Sequence, residues 1–300
     1  MTIYRTAAPR SVVGALFCAG LCAFISGSVA GDPSGGDDAE GEGGPDEADT
    51  LSLLGIVRDF RPSPEHPDFD VVPSNGYGHY CGNIALQLDA DGKPIFVGGG
   101  FRVAREWRDA SNRKISWNLY DPALGDIKGS RSSNDENGAI TSAETFSQWY
   151  RDIPGVNLSW LHTITLTWDD DDDMYSFQTN NFTPIDDLLF GNGGYSHNYH
   201  FTYEIVARFT YDASAGQMLL FQGDDDAWVF IDGRLVLDHG GIAGSREMYV
   251  DFDRLGLEDG EEYRLQLFHA ERHQPQSHFR LKTNVELRST LPGNILAMFD

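Results

Sequence analysis

Cysteine is nearly absent from this chain. Three occur in 300 residues, and two of them, Cys18 and Cys22, fall within the first thirty. Loss of that leader leaves Cys81 alone, which excludes an internal disulfide framework. A lone cysteine is expected as a small buried hydrophobe. A nucleophilic role would need a histidine or helix start that lowers its pKa; His79 is close in sequence, but spacing alone does not show that the side chains meet. Basic residues are scarce as well. Twenty-two Lys and Arg stand against 46 Asp and Glu, a formal charge of −24. Phosphate binding rests on basic patches, so nucleic acid and anionic lipid are excluded as partners. Beyond the leader no apolar run approaches the ~20 residues of a membrane span, so the mature chain is not expected to insert. No His-Glu-x-x-His zinc motif, phosphate loop or nucleophile motif occurs.

What is present begins with an export signature. Arg5 and Arg10 precede an apolar run from Val12 to Ile25, and Ser28-Val29-Ala30 offers small residues for cleavage near Ala30. The competing reading, a retained anchor, needs a longer run. The predicted product is secreted or displayed at a cell surface. Residues 31–50 are almost entirely Gly, Asp, Glu and Pro, a composition that cannot repay the entropy of ordering and reads as an acidic linker.

A folded domain is predicted over 51–290, with a short tail at 291–300. Its first half is loop-rich, with a first strand at Leu51–Val57 and one short helix or turn within Ala143–Arg151. The second half reads as strands. Leu161–Trp168 is β-branched and aromatic, Tyr199–Tyr211 and Tyr263–Phe268 alternate, and Phe279, Leu281, Val285 and Leu287 share one face. Met218–Phe221 and Ala227–Ile231 flank an acidic turn, and Asp232-Gly233 is the dipeptide of a tight hairpin. Many short antiparallel strands with Gly and Asp turns predict an all-β sandwich or open barrel with long loops.

The acidic turn Asp224-Asp225-Asp226 is the leading site candidate. Adjacent carboxylates at ~4 Å repel by about 1–4 kcal/mol depending on screening, and calcium relieves this because it gathers six to eight oxygens. A turn this short supplies only two or three, so other loops must contribute; Glu271 is the candidate from a neighbouring loop. Strand alternation would send Asp224 and Asp226 to one side and Asp225 to the other unless the turn breaks that period. The alternative is a solvated or backbone-capping Asp turn. Glu271 also admits an acid–base role with His269 or His273, or an ion pair with Arg272 that fixes its loop. Asp169–Asp173 is a longer acidic run without calcium-loop spacing, expected as a solvated hairpin tip. Trp228 is expected in the core. Tyr195 and Tyr199, around Gly191-Asn-Gly-Gly194, are the exposed aromatic candidates for ligand contact, with His273. Asn157 and Asn181 open glycosylation patterns.

A resemblance now becomes visible. Phe221-Gln-Gly-Asp-Asp-Asp-Ala-Trp-Val-Phe-Ile-Asp-Gly233, Leu237-Asp-His-Gly-Gly-Ile242, Leu255–Tyr263 and Phe268-His-Ala-Glu-Arg-His273 resemble the fibro-slime domain. So do Val57-Arg-Asp-Phe60, His66-Pro-Asp-Phe69 and His197–Thr202 upstream. That family is similar to the protective-antigen domain superfamily of toxins, glycosidases and yeast adhesins, with the kernel here at about 145–288. The resemblance implies a β-sandwich and a calcium clamp at Asp224 and Asp225 that also meets sugar hydroxyls. Extracellular glycans or surface proteins are then the partners. Asp226 stands where glycine is commoner in the superfamily, and the Gln274–His278 loop has no asparagine. The function expected is a non-enzymatic binding or adhesion module. The alternatives are a structural matrix component in which calcium only stabilises the fold, and a carbohydrate-active enzyme.

Overall fold

The computed structural model describes residues 49–290. The leader at 1–30 with Cys18 and Cys22, the linker up to residue 48 and the tail at 291–300 lie outside the described residues. The strands are β1 (Thr50–Phe60), β2 (Tyr80–Cys81), β3 (Phe101–Arg105), β4 (Ser130–Arg131), β5 (Asn157–Asp169), β6 (Met174–Thr179) and β7 (Phe201–Thr210). They continue with β8 (Met218–Gly223), β9 (Asp226–Ile231), β10 (Arg234–His239), β11 (Arg246–Asp251), β12 (Glu262–Glu271), β13 (Phe279–Thr283) and β14 (Arg288–Thr290). A single turn of helix, α1 (Ala143–Phe146), is started by a capping box between Ser142 and Thr145.

The architecture is all-β and antiparallel, as predicted. One hydrogen-bonded path runs β10-β9-β12-β7-β1-β5-β6-β13-β8-β11, with β14 joined to β7; β2, β3 and β4 form a separate small sheet. The β5–β6 hairpin is bonded only at Thr167, Trp168 and Asp169, so the path folds there into two layers. Its ends, β10 and β11, come into contact, which nearly closes a barrel. Tight packing across β1 explains Gly55. A Cβ there would sit 2.5 Å from both the Tyr203 ring and the Glu204 carbonyl, and the Tyr203 hydroxyl donates to the His162 carbonyl at 3.1 Å.

Strand β9 shows why its sequence is continuously apolar rather than alternating. Ala227, Val229 and Ile231 enter the core between the layers. Trp228 and Phe230 enter a second core with Phe60, Phe69, Trp149 and Phe268. The loop-rich segment between β1 and β5 supplies much of that second core, including Ile84, Ile140, Phe146 and Tyr150. A strand buried on both faces reads as a solid apolar run, and each such large side chain contributes about 1.5–3 kcal/mol of transfer free energy. Trp228 is therefore core, as expected. Asp232 (φ 48°) and Gly233 (φ 75°) give the β9–β10 hairpin both positive φ angles that a two-residue type I′ turn requires. After β13 the apolar face persists through Val285 and Leu287, both buried in the main core, although the strand itself ends at Thr283.

Candidate functional site

The acidic residues lie where the chain crosses from one layer to the other. Strand β8 belongs to the β13–β8–β11 side and β9 to the β10–β9–β12 side, so the turn between them is a corner and not a hairpin. Each half of the corner is held by its own neighbour. The Asp224 amide donates to the His278 carbonyl at 3.4 Å, beside β13, and the Asp225 amide to the Ala270 carbonyl of β12 at 3.3 Å. The Asp224–Asp225 peptide is cis.

The corner breaks the strand period. Asp224 and Asp225 together line one cavity of about 370 Å³, with Tyr77, Ile242, Ala243, Gly244, His273 and the Gln274–Gln276 stretch. Asp226 is not on that wall. Its Oδ1 accepts from the Gly241 amide at 2.5 Å and its Oδ2 from Arg272 Nε at 2.6 Å. The three carboxylates thus divide into a pair facing the cavity and a third held in a buried ion pair. The Glu271–Arg272 pair considered from sequence is replaced by Asp226–Arg272, because Arg272 and Glu271, adjacent at the end of β12, point to opposite sides.

Each cavity-facing carboxylate is pinned by backbone donors. Asp224 accepts from the His278 amide and from His278 Nδ1 at 2.8 Å. Asp225 accepts from the Ala243 amide at 3.2 Å and the Arg272 amide at 3.1 Å. Burial raises the carboxyl of Asp224 above the usual range, opposed by the hydrogen bonds from His278. Burial pushes Asp225 well above it, opposed by Arg272 and reinforced by Asp226 and Asp224. Glu271 is fully buried, held by the His273 amide at 3.4 Å and by the Ser277 hydroxyl. Its carboxyl too is pushed well up, first by burial and then by Asp225 and Asp224, which places those charges close by. His269, also buried, donates from Nε2 to the Asp224 carbonyl at 2.8 Å, and burial lowers its pKa to about 4.

Among the described residues no three His, Cys, Asp or Glu side chains are gathered as a ready-made metal cage. A hard cation at this corner would complete its shell from backbone carbonyls, water or ligand oxygens.

The other predicted contact residues separate. His273 is on the cavity wall. Its Nδ1 donates to the Gln274 carbonyl at 2.6 Å, which leaves Nε2 to accept the Tyr77 hydroxyl at 3.1 Å. Tyr195 is on the surface but off this wall, its hydroxyl donating to Asp70 at 2.8 Å. Tyr199 is only 4% exposed, which corrects its reading as a surface aromatic; the Tyr195 and His197 rings pack edge-on against it. Asp169–Asp173 forms the exposed tip between β5 and β6, as expected, with Asp172 paired to Lys282. Asn157 is buried, and its amide donates to the Gln148 and Arg151 carbonyls at 3.0 and 2.8 Å, whereas Asn181 is exposed.

Tyr77 and His278 were missed by sequence reasoning. Tyr77 is 47% exposed and comes from the loop-rich half, nearly 150 residues before the corner it joins. The available signal was an aromatic set between Gly76 and Gly78 with no apolar neighbours to bury it. Cys81 and His79 do meet, with Sγ 3.1 Å from Nε2, but burial pushes the thiol well above its usual range.

Comparison with known proteins agrees with the β-rich half. Residues 161–293 match the PA14 domain family. The relatives include Dictyostelium discoideum psi proteins. Protein psiQ is 38% identical over 258 residues, covering 81% of this chain and 22% of its own length. Protein psiD is 39% identical over 160 residues, covering 50% of this chain and 31% of its own. The chain therefore spans about a fifth to a third of the curated relatives it matches. Among solved structures, the PA14 domain of the MpAFP antifreeze protein has a TM-score of 0.27 at 11% identity, covering 85% of this chain and 97% of that one. The Candida glabrata epithelial adhesin 9 A domain, solved with Galb1-4GlcNAc, has a TM-score of 0.27 at 12% identity, covering 83% and 95%.

Proposed function

We propose that this chain is a secreted or surface-displayed, non-catalytic binding module whose Asp224–Asp225 corner holds calcium and, through it, the hydroxyls of an extracellular glycan. The observation that carries the reading is the pair of adjacent buried carboxylates opening onto one cavity, with the buried Glu271 carboxyl close behind them. Burial raises the carboxyls of Asp224, Asp225 and Glu271, so ionising the three together is costly, and a divalent cation offsets that cost. The carboxylate oxygens of the corner suit calcium rather than zinc. When bound, calcium supplies positive charge and open coordination positions for hydroxyl oxygens. Asp224 and Asp225 would hold it from the corner, and Glu271 would add negative charge from beneath. Asp226 has a different duty, balancing Arg272.

The fibro-slime resemblance across 51–287 and the PA14 match over 161–293 support the binding reading. Among the described residues no helix is long and apolar enough to cross a membrane. The acid–base role considered for Glu271 loses its access, because this carboxyl is absent from the cavity wall. Tyr77 offers a ring at the rim for a pyranose face, and Gln274 and Gln276 offer amides for its hydroxyls. The test is a glycan array probed with the chain in calcium and in chelator, beside Tyr77→Ala. Calcium-dependent signals weakened at least tenfold in Tyr77→Ala are expected. A silent array with calcium-dependent melting would instead give the purely structural role.

A further inference from the structure

Beyond the rim of the cavity the surface continues as a fixed run of polar and aromatic contacts. The Tyr77 hydroxyl donates to His273 Nε2 at 3.1 Å, and the two rings meet edge to face with centroids 5.2 Å apart. His273 Nε2 lies 4.0 Å from Asp70 Oδ1, and Asp70 Oδ2 accepts the Tyr195 hydroxyl at 2.8 Å. The backbone anchors the same run. The Asp70 amide donates to the Arg272 carbonyl at 2.8 Å, which seats Asp70 against the end of β12 beside His273. The Tyr77 carbonyl accepts from Arg102 Nη2 at 2.7 Å. Asp70 holds its place with a φ of 57°, a left-handed conformation that Asp adopts more readily than most residues.

Two features of this strip suit a ligand. The Tyr77 and Tyr195 rings are 47% and 36% exposed, yet each is already held by its hydroxyl. The Tyr195 ring also stands edge-on to the buried His200 and Tyr199 rings, with centroids 5.7 and 6.3 Å away. Exposed side chains fixed in advance lose little rotamer freedom on binding, which is what preorganisation contributes to affinity. The second feature is Asp70 Oδ1. At 4.0 Å it is too far from His273 Nε2 for a hydrogen bond. This oxygen, on a side chain 23% exposed, is left to accept a hydrogen bond from outside the protein.

We propose that Asp70 and Tyr195 form a second sugar subsite, so that the ligand is an oligosaccharide of at least two units and not a single sugar. The inference rests on the glycan reading of the Asp224–Asp225 corner and extends it. One unit occupies the cavity at Tyr77, which with His273 belongs to the cavity wall. The glycan continues past His273, and its next unit lays a face on the Tyr195 ring while donating a hydroxyl to Asp70 Oδ1. A tyrosine supplies an apolar face with a polar tip, and a hydrogen bond to an ionised carboxylate is stronger than one between neutral groups. Both contacts lie outside the cavity, so they add affinity for the longer glycan without touching the calcium-holding carboxylates.

A glycan array carrying neutral sugars in one-, two- and three-unit forms, probed with the full chain in calcium, tests this. The wild type is expected to bind two-unit forms about tenfold more strongly than the matching single sugars. Tyr195→Ala is expected to lose that gain and to keep the single-sugar signal, which also shows that the corner remains folded. Asp70→Asn keeps a residue suited to the left-handed backbone. It is expected to lose roughly threefold on the longer forms alone, because an amide oxygen accepts more weakly than a carboxylate. Wild-type signals independent of glycan length, or a two-unit signal undiminished in Tyr195→Ala, overturn the second subsite while the calcium–glycan reading stands. An array silent with the wild type overturns both.

Discussion

Arg272 and Asp226 form an ion pair with no access to water: Nε lies 2.6 Å from Oδ2, and the two side chains are 0% and 1% exposed. The same guanidinium donates to the carbonyls of Gly138, Ala139 and Asp68, and its backbone amide donates to Asp225. One residue thus ties the loop-rich half of the chain to the acidic corner. Its partner explains why a third aspartate is tolerated there.

Removing one member of a buried pair costs about 3–5 kcal/mol, because the other is left charged and unpaired. Arg272→Met is therefore expected to lower the unfolding free energy by roughly that amount, read from urea denaturation. Asp226→Asn should cost less, since Asn retains an acceptor for the Gly241 amide.

A pH dependence follows from Asp59. Burial lifts this carboxyl from 3.8 to about 6, opposed by hydrogen bonds from Asn198 and Phe190. A carboxyl raised in the folded state binds its proton more tightly there, so its contribution to stability is full below the unfolded pKa. It is lost as pH rises through about 6. Wild-type stability minus that of Asp59→Asn is expected to fall between pH 4 and pH 6.5, by an amount on the order of 3 kcal/mol. A flat difference across that window contradicts the assignment.

Cys81 should be chemically silent while the chain is folded. It is 1% exposed, and the nearby charges of Asp238 and Glu106 join burial in holding the thiol protonated. Thiol labelling followed by peptide mapping is expected to leave Cys81 unmodified in buffer and modified in denaturant. Rapid labelling of the native chain would show that His79 activates it.

The parts of this fold legible from sequence are those carried by local pattern. Asp232-Gly233 named its hairpin, and the alternation of Phe279 and Leu281 named a face, because turn chemistry and period act over a few residues. Trp228 was recognisable as core from an apolar run without alternation. The site was legible only at its centre. Asp224 and Asp225 stood out by charge, but their shared direction depends on the corner between layers, which strand period does not encode. Glu271 was anticipated as a neighbour of the pair, but Tyr77 reaches the same place from a distant loop, and no local signal predicts that meeting. Tyr199 was misplaced for a related reason: nearness in sequence to a glycine-rich loop does not fix how exposed a ring is.

The central claim is that Asp224 and Asp225 bind calcium, and a thermal-melting titration with calcium against chelator tests it most directly. At a hundredfold excess over the dissociation constant, one bound ion adds about 2.7 kcal/mol, which is a rise of several degrees in midpoint for a chain of this size. The wild type is expected to show that rise, Asp224→Asn and Asp225→Asn to lose it, and Glu271→Gln to need more calcium for it. A wild-type midpoint unmoved by millimolar calcium, or a rise undiminished in Asp225→Asn, contradicts the account.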